Sequence, residues 1–136
     1  MQVLPTTMTL ISRNRGLAVG DLRDPATNME FGQSWIEWMR GHGATQGHLP
    51  KIVASYNAGP LPVGRWAYLD RGDPLLWIES IPYWETRGYV PIVLRNYWIY
   101  EQKARKGSSS RQALAQGMWP RFPGVAGGSA VRMTER

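Results

Sequence analysis

The sequence predicts an all-α fold. Apolar residues recur at helical spacing in successive stretches, and helix starts and stops stand at the borders of those stretches. No stretch alternates apolar with polar residues as a half-buried strand would. At 136 residues the chain is one domain at most, long enough for a real core.

A short helix is expected from Pro5 to about Arg13, with Met8 and Ile11 at helical spacing, followed by a connection broken by Gly16 and Gly20. Asp24-Pro25 starts the next helix: the carboxylate can accept from a free first-turn N–H, and proline sits where no N–H is needed. That helix should run to about Arg40 and stop at Gly41-His42-Gly43. Met29, Gly32, Ile36 and Met39 form one stripe on it, and Phe31, Trp35 and Trp38 its neighbour.

Leu49 to about Asn57 reads as a third helix, ended by Ala58-Gly59-Pro60. Pro62 to Tyr68 reads as another short one carrying Trp66, and Asp70 to Pro74 as a turn. A long helix starts near Tyr83–Glu85 and reaches about Lys103, with Val90, Val93, Leu94, Tyr97, Tyr100 and Glu101 at helical spacing. Pro91 conflicts with it, because an interior proline removes a hydrogen bond; the regular helix should start just before it or kink there. Residues 106–136 read as a basic Gly/Ser-rich tail, loosely ordered, with Met118, Trp119 and Phe122 docking.

The net charge of +6 is unevenly placed: residues 1–105 hold 11 Lys/Arg and 9 Asp/Glu, residues 106–136 hold 5 and 1. A nucleic-acid partner is therefore not expected for the folded part, and the tail suits an anionic wall or membrane surface. There is no Cys, so disulfides and Cys-based metal sites are excluded. His42 and His48, in a Gly-rich turn, read as exposed loop residues and not as metal ligands. No phosphate-type glycine loop is present. No run is apolar and long enough to span a bilayer and no signal peptide is visible, so the chain as written is expected to be soluble.

The richest stretch chemically is Ile78 to Val90, which sets Glu79, Glu85, Tyr83, Trp84, Tyr89 and Arg87 about a proline and a glycine. That mixture suits the wall of a polar, aromatic-lined groove. Glycoside cleavage commonly uses two carboxylates. Glu79 and Glu85 are poor partners, since six residues turn a helix through about 600° and Pro82 interrupts them. Glu85 and Tyr89, four apart, share a helix face.

Four segments carry a resemblance: Met1-Gln2-Val3-Leu4-Pro5, Asp24-Pro25-Ala26-Thr27-Asn28-Met29, Ala54-Ser55-Tyr56-Asn57-Ala58-Gly59-Pro60, and Trp77 through Val90 with its Glu85-Thr86-Arg87-Gly88-Tyr89 core. In order and spacing they resemble the motifs of the soluble lytic murein transglycosylases, over roughly residues 1–103. The resemblance implies a lysozyme-like, mostly helical domain with a groove for peptidoglycan glycan strands. Members cleave the MurNAc-β-1,4-GlcNAc bond without water, leaving a 1,6-anhydromuramoyl end, and one glutamate acts as acid, then base. No metal or organic cofactor is expected. The compartment implied is the periplasm or cell envelope.

By the same resemblance Gln2, Tyr56, Asn57, Glu85 and Tyr89 are substrate-binding residues. The family's catalytic glutamate lies in a Glu-Ser-x-Phe helix ahead of the motif at Met1, and no glutamate of this chain sits in a matching context. The general acid is therefore expected upstream of Met1. The domain is expected to be a partial one, residues 1–105, lacking its N-terminal catalytic-glutamate helix. A truncated reading frame is the expected origin; the alternative is a non-catalytic peptidoglycan-binding relic or pseudoenzyme.

Overall fold

Asp24 opens the first regular helix as the Asp-Pro pair predicts. Its carboxylate accepts from the Thr27 hydroxyl at 2.7 Å and the Thr27 N–H at 2.9 Å. Those two bonds hold the carboxyl below its ordinary value. The computed structural model describes Thr9, Ser12, Arg13, Asp21 and residues 23–122. Of the expected helix before Arg13, Thr9, Ser12 and Arg13 are helical, and the rest of that segment lies outside the described residues.

The chain forms two compact units, residues 1–39 and 40–136. Helix α1 (Pro25–Arg40) buries Phe31, Gly32, Trp35 and Met39. The Trp35 and Trp38 rings stack at 4.8 Å with 9° between planes. Met29, expected on the apolar stripe, is exposed. The stripe centres on Phe31, Trp35 and Met39, and two residues of helix turn Met29 about 160° away from Phe31.

The second unit holds α2 (Leu49–Ala58), α3 (Pro60–Arg65), a 3₁₀ turn (Trp66–Leu69), α4 (Pro74–Glu79), α5 (Trp84–Lys103) and α6 (Ser109–Ala115). Among the described residues there is no strand, only an isolated bridge between His48 and Arg121, so the all-α expectation holds. Helix α2 packs against α3 and α5. Its end is forced: Gly59 has φ 89° and ψ 158°, a region open in practice only to glycine, and Pro60 then starts α3.

Helix α4 falls where the sequence suggested only a turn. Asp73-Pro74 repeats the device of Asp24-Pro25, with Asp73 Oδ1 accepting from the Leu75 N–H at 2.9 Å. The turn precedes it: Gly72, at φ 89°, donates its N–H to Asp70 Oδ1 at 3.0 Å. Helix α5 is continuous through Pro91. The proline is exposed, so the carbonyl it leaves unpaired, that of Arg87, lies at an exposed residue where water can serve it. Its inner side follows Val90, Leu94 and Trp98 rather than Tyr97 and Tyr100, which are exposed.

Leu49, Val53, Trp66, Trp77, Ile78, Ile81, Val90 and Leu94 form the core of this unit, and Leu114 joins it from α6. The segment read as a loose tail is thus ordered as far as Phe122. Ser108 caps α6 by accepting from the Arg111 N–H at 3.3 Å and donates its hydroxyl to Glu101 at 2.9 Å. Trp98 Nε1 donates to Ser110 at 2.9 Å, fastening α5 to α6. Trp119 and Phe122 pack on the core. Residues 123–136 lie outside the described residues.

Trp119 also completes a buried charged cluster. Lys51, in the first turn of α2, is 3% exposed. Its Nζ donates to Asp70 at 2.8 Å and to Gln46 Oε1 at 2.9 Å, and sits 4.6 Å from the Trp119 ring centre. Trp119 Nε1 donates to Asp70 Oδ1 at 3.3 Å. His48, expected to be an exposed loop residue, is half-buried and stacks on Trp119 at 4.8 Å. The aromatic ring that covers it comes from far along the chain.

Candidate functional site

The last turn of α2 and the first turn of α5 meet around a cavity of about 460 Å³. Asn57 and Ala58 line it from α2; Pro82, Tyr83, Trp84, Glu85 and Thr86 line it from the other side. The size is that of a small-ligand site. Each wall is positioned by a local stop signal. Gly59-Pro60 ends α2 just past Asn57, and Pro82 ends the preceding loop, so that α5 begins at Trp84 with its early side chains at the cavity.

Thr86 fixes one of the polar groups. Its buried hydroxyl donates to Asn57 Oδ1 at 2.7 Å. With its carbonyl oxygen so used, the Asn57 amide presents its N–H₂, a pair of donors, for an acceptor such as an amide carbonyl or a hydroxyl. Glu85 supplies the complementary chemistry, an acceptor-only carboxylate when ionised, in the first turn of α5 where the helix dipole favours negative charge. It is exposed and forms no ion pair with Arg87. Donor and acceptor on facing walls suit a polyhydroxylated ligand.

Tyr56 and Tyr89 do not line this cavity. Both are half-buried. Burial raises both phenols above their ordinary value, and for Tyr56 the nearby Tyr89 adds to the shift. The Tyr56 hydroxyl is buried and finds no hydrogen-bond partner among the described residues. A buried hydroxyl left so costs about 1–3 kcal/mol, which a ligand or an ordered water would recover.

Of the residues singled out in sequence, then, Asn57 and Glu85 share the cavity, Tyr56 and Tyr89 do not line it, and Gln2 lies outside the described residues. Glu79 ends α4 on the exposed surface and does not line the cavity. Thr86 and Trp84 were not singled out for themselves. Thr86 belongs to the Glu-Thr-x-x-Tyr segment, but its partner is 29 residues away, and no local pattern announces such a bond. Among the described residues no group of three or more acidic or histidine side chains could hold a metal ion.

Comparison with known proteins gives a consistent family. The model of the transglycosylase SLT domain matches residues 1–73. A soluble lytic murein transglycosylase of Escherichia coli (strain K12) is 36% identical over 100 residues, covering 69% of this chain and 15% of that protein. One of Salmonella typhimurium is 33% identical over 122 residues, covering 84% of this chain and 18% of that protein. The chain thus spans under a fifth of the length of these curated relatives. No solved structure gives a significant match.

Proposed function

Because the chain belongs to the transglycosylase SLT domain family, we propose that its cavity is part of a groove for peptidoglycan glycan strands, in a protein that cleaves the MurNAc-β-1,4-GlcNAc bond. The observation that carries this reading is the meeting of Asn57 and Glu85 across one small-ligand cavity, the first held in orientation by Thr86. An acetamido sugar offers what the two residues lack: a carbonyl oxygen for the Asn57 amide and hydroxyl donors for Glu85.

The reaction proposed for the whole protein needs no water. A glutamic acid gives its proton to the leaving glucosaminyl oxygen while the carbonyl oxygen of the muramoyl N-acetyl group, standing in for a second carboxylate, attacks the anomeric carbon and the glycosidic bond breaks. The resulting carboxylate then takes the proton of the muramoyl 6-hydroxyl, whose oxygen attacks its own anomeric carbon and breaks the bond to the acetamido oxygen. The product is a 1,6-anhydromuramoyl end, and the leaving sugar carries a free 4-hydroxyl.

Within this chain the residues proposed to bind are Gln2, Tyr56, Asn57, Glu85 and Tyr89. The acid is proposed to be a glutamate that the family carries ahead of the motif at Met1. A positioned acid contributes about 10²–10⁴ in rate, so the groove without it would bind far better than it turns over. The compartment proposed is the periplasm or cell envelope, where the substrate is.

Purified sacculi test the reading. The full chain should sediment with them, and Asn57→Ala combined with Glu85→Gln should release it to the supernatant. A protein in which such a glutamate faces this groove should liberate anhydromuropeptides. Failure of the native chain to sediment at all removes the groove reading. Sedimentation with no anhydro product from such a protein leaves a binding module.

A further inference from the structure

Trp84 is the most exposed large hydrophobic side chain among the described residues, at 78%, and it lines the cavity beside Glu85. Exposing an indole so far sacrifices burial that aromatic residues normally gain. The fold makes no use of it. The opening turn of α5 is closed by backbone, with the Arg87 N–H donating to the Tyr83 carbonyl at 2.9 Å. Tyr83, its neighbour, is braced edge-on against Trp66 at 5.0 Å and 80°. Trp84 has no such brace: no described residue gives its ring an aromatic or cationic partner, or its Nε1 an acceptor.

A flat apolar face next to a carboxylate and an amide is the arrangement that takes up a pyranose ring. The ring's C–H face lies on the indole while its polar substituents reach the hydrogen-bonding groups. Asn57 and Glu85 already supply the polar contacts for one sugar. We propose that Trp84 is the platform of an adjoining sugar subsite, stacking on the residue next to the one that meets Asn57 and Glu85. The site then measures glycan length as well as sugar identity. This subsite rests on the glycan-groove reading of the cavity.

Calorimetric titration of the full chain with soluble glycan fragments tests it. The probes are the disaccharide and the tetrasaccharide of alternating N-acetylglucosamine and N-acetylmuramic acid. The native chain should bind the tetrasaccharide more tightly, and Trp84→Ala should shrink that gain by about three- to tenfold. Trp84→Phe should keep most of the gain, and Trp84→Leu, which is apolar without a π face, should not. Because the side chain is exposed, the variants should keep the native far-ultraviolet circular dichroism.

An undiminished gain in Trp84→Ala, or equal affinity of the native chain for the two saccharides, overturns the subsite. The groove reading then survives provided Asn57→Ala still weakens disaccharide binding. Binding of neither saccharide by the native chain removes the groove reading, and the subsite with it.

Discussion

Thr86 donates its hydroxyl to Asn57 Oδ1 at 2.7 Å and thereby ties the first turn of α5 to the last turn of α2. One buried bond does two jobs. It satisfies a hydroxyl that is 1% exposed, and it decides which end of the Asn57 amide faces the cavity. Thr86→Val keeps the shape and removes the donor. The expected cost is about 1–3 kcal/mol of stability, read from urea denaturation, together with weaker retention on sacculi. Thr86→Ser should restore both. If Thr86→Val binds sacculi as the native chain does, the hydroxyl does not position Asn57.

The Lys51–Asp70 pair should matter to stability more than surface pairs do. Lys51 is 3% exposed, while the Asp70 side chain keeps 20% of its exposure. Lys51→Met would take the cation from Asp70 Oδ2 and leave the carboxylate with only the Gly72 and Trp119 N–H groups on Oδ1. Breaking one partner of a buried pair costs about 3–5 kcal/mol, and the partial exposure of Asp70 favours the lower end. Replacing both, as Lys51→Met with Asp70→Leu, should cost less than the sum of the single changes. Denaturation of the four proteins in the cycle checks this, and strict additivity would contradict the coupling.

Acid should loosen the same region. Burial first, then the charges of Lys51 and Arg121, push His48 down from 6.5 to about 4. Between those values the unfolded chain binds a proton that the folded chain refuses. The unfolded state then holds more protons, so stability falls as pH drops from about 6.5 to about 4. For Asp70, burial pushes the carboxyl up, but the bonds from Lys51, Gly72 and Trp119 outweigh it, and the net shift is downward. Its contribution is present above its ordinary value of 3.8 and is lost at lower pH. Thermal melts across pH 3–7, an interval of about four units spanning both ordinary values, should show the two losses in turn. His48→Gln should flatten the upper one.

Pro91 marks a stability reserve. It sits exposed inside a continuous α5, and its missing N–H leaves a gap in the ladder. Pro91→Ala should raise stability, by up to about 3 kcal/mol on the helix scale. A melt showing a loss instead would mean that the ring is packed.

The parts of the fold legible in sequence were those with local signals. Asp24-Pro25 announced α1, Gly59-Pro60 closed α2, and apolar spacing outlined α5. Asp73-Pro74 carried the same signal as Asp24-Pro25 and was absorbed into the turn before it, so α4 went unseen. The tail misled through composition: serine and glycine suggested disorder, but Ser108 and Ser110 are spent on capping and on Glu101 and Trp98. His48 looked like a surface residue because the ring that covers it, Trp119, is far away in the chain. At the cavity, Asn57 and Glu85 were recognisable from their short motifs. The Thr86–Asn57 bond and the exposure of Trp84 arise only when α2 and α5 meet.

Chemical-shift mapping tests the central claim most directly. Titrating the ¹⁵N-labelled chain with the soluble tetrasaccharide should perturb the amides of Asn57, Ala58, Trp84, Glu85 and Thr86 and the Asn57 side-chain N–H₂, and leave those around Lys51 and Trp119 unmoved. Saturable shifts confined to another surface, with the Asn57 and Glu85 signals unchanged, would contradict a glycan groove between α2 and α5.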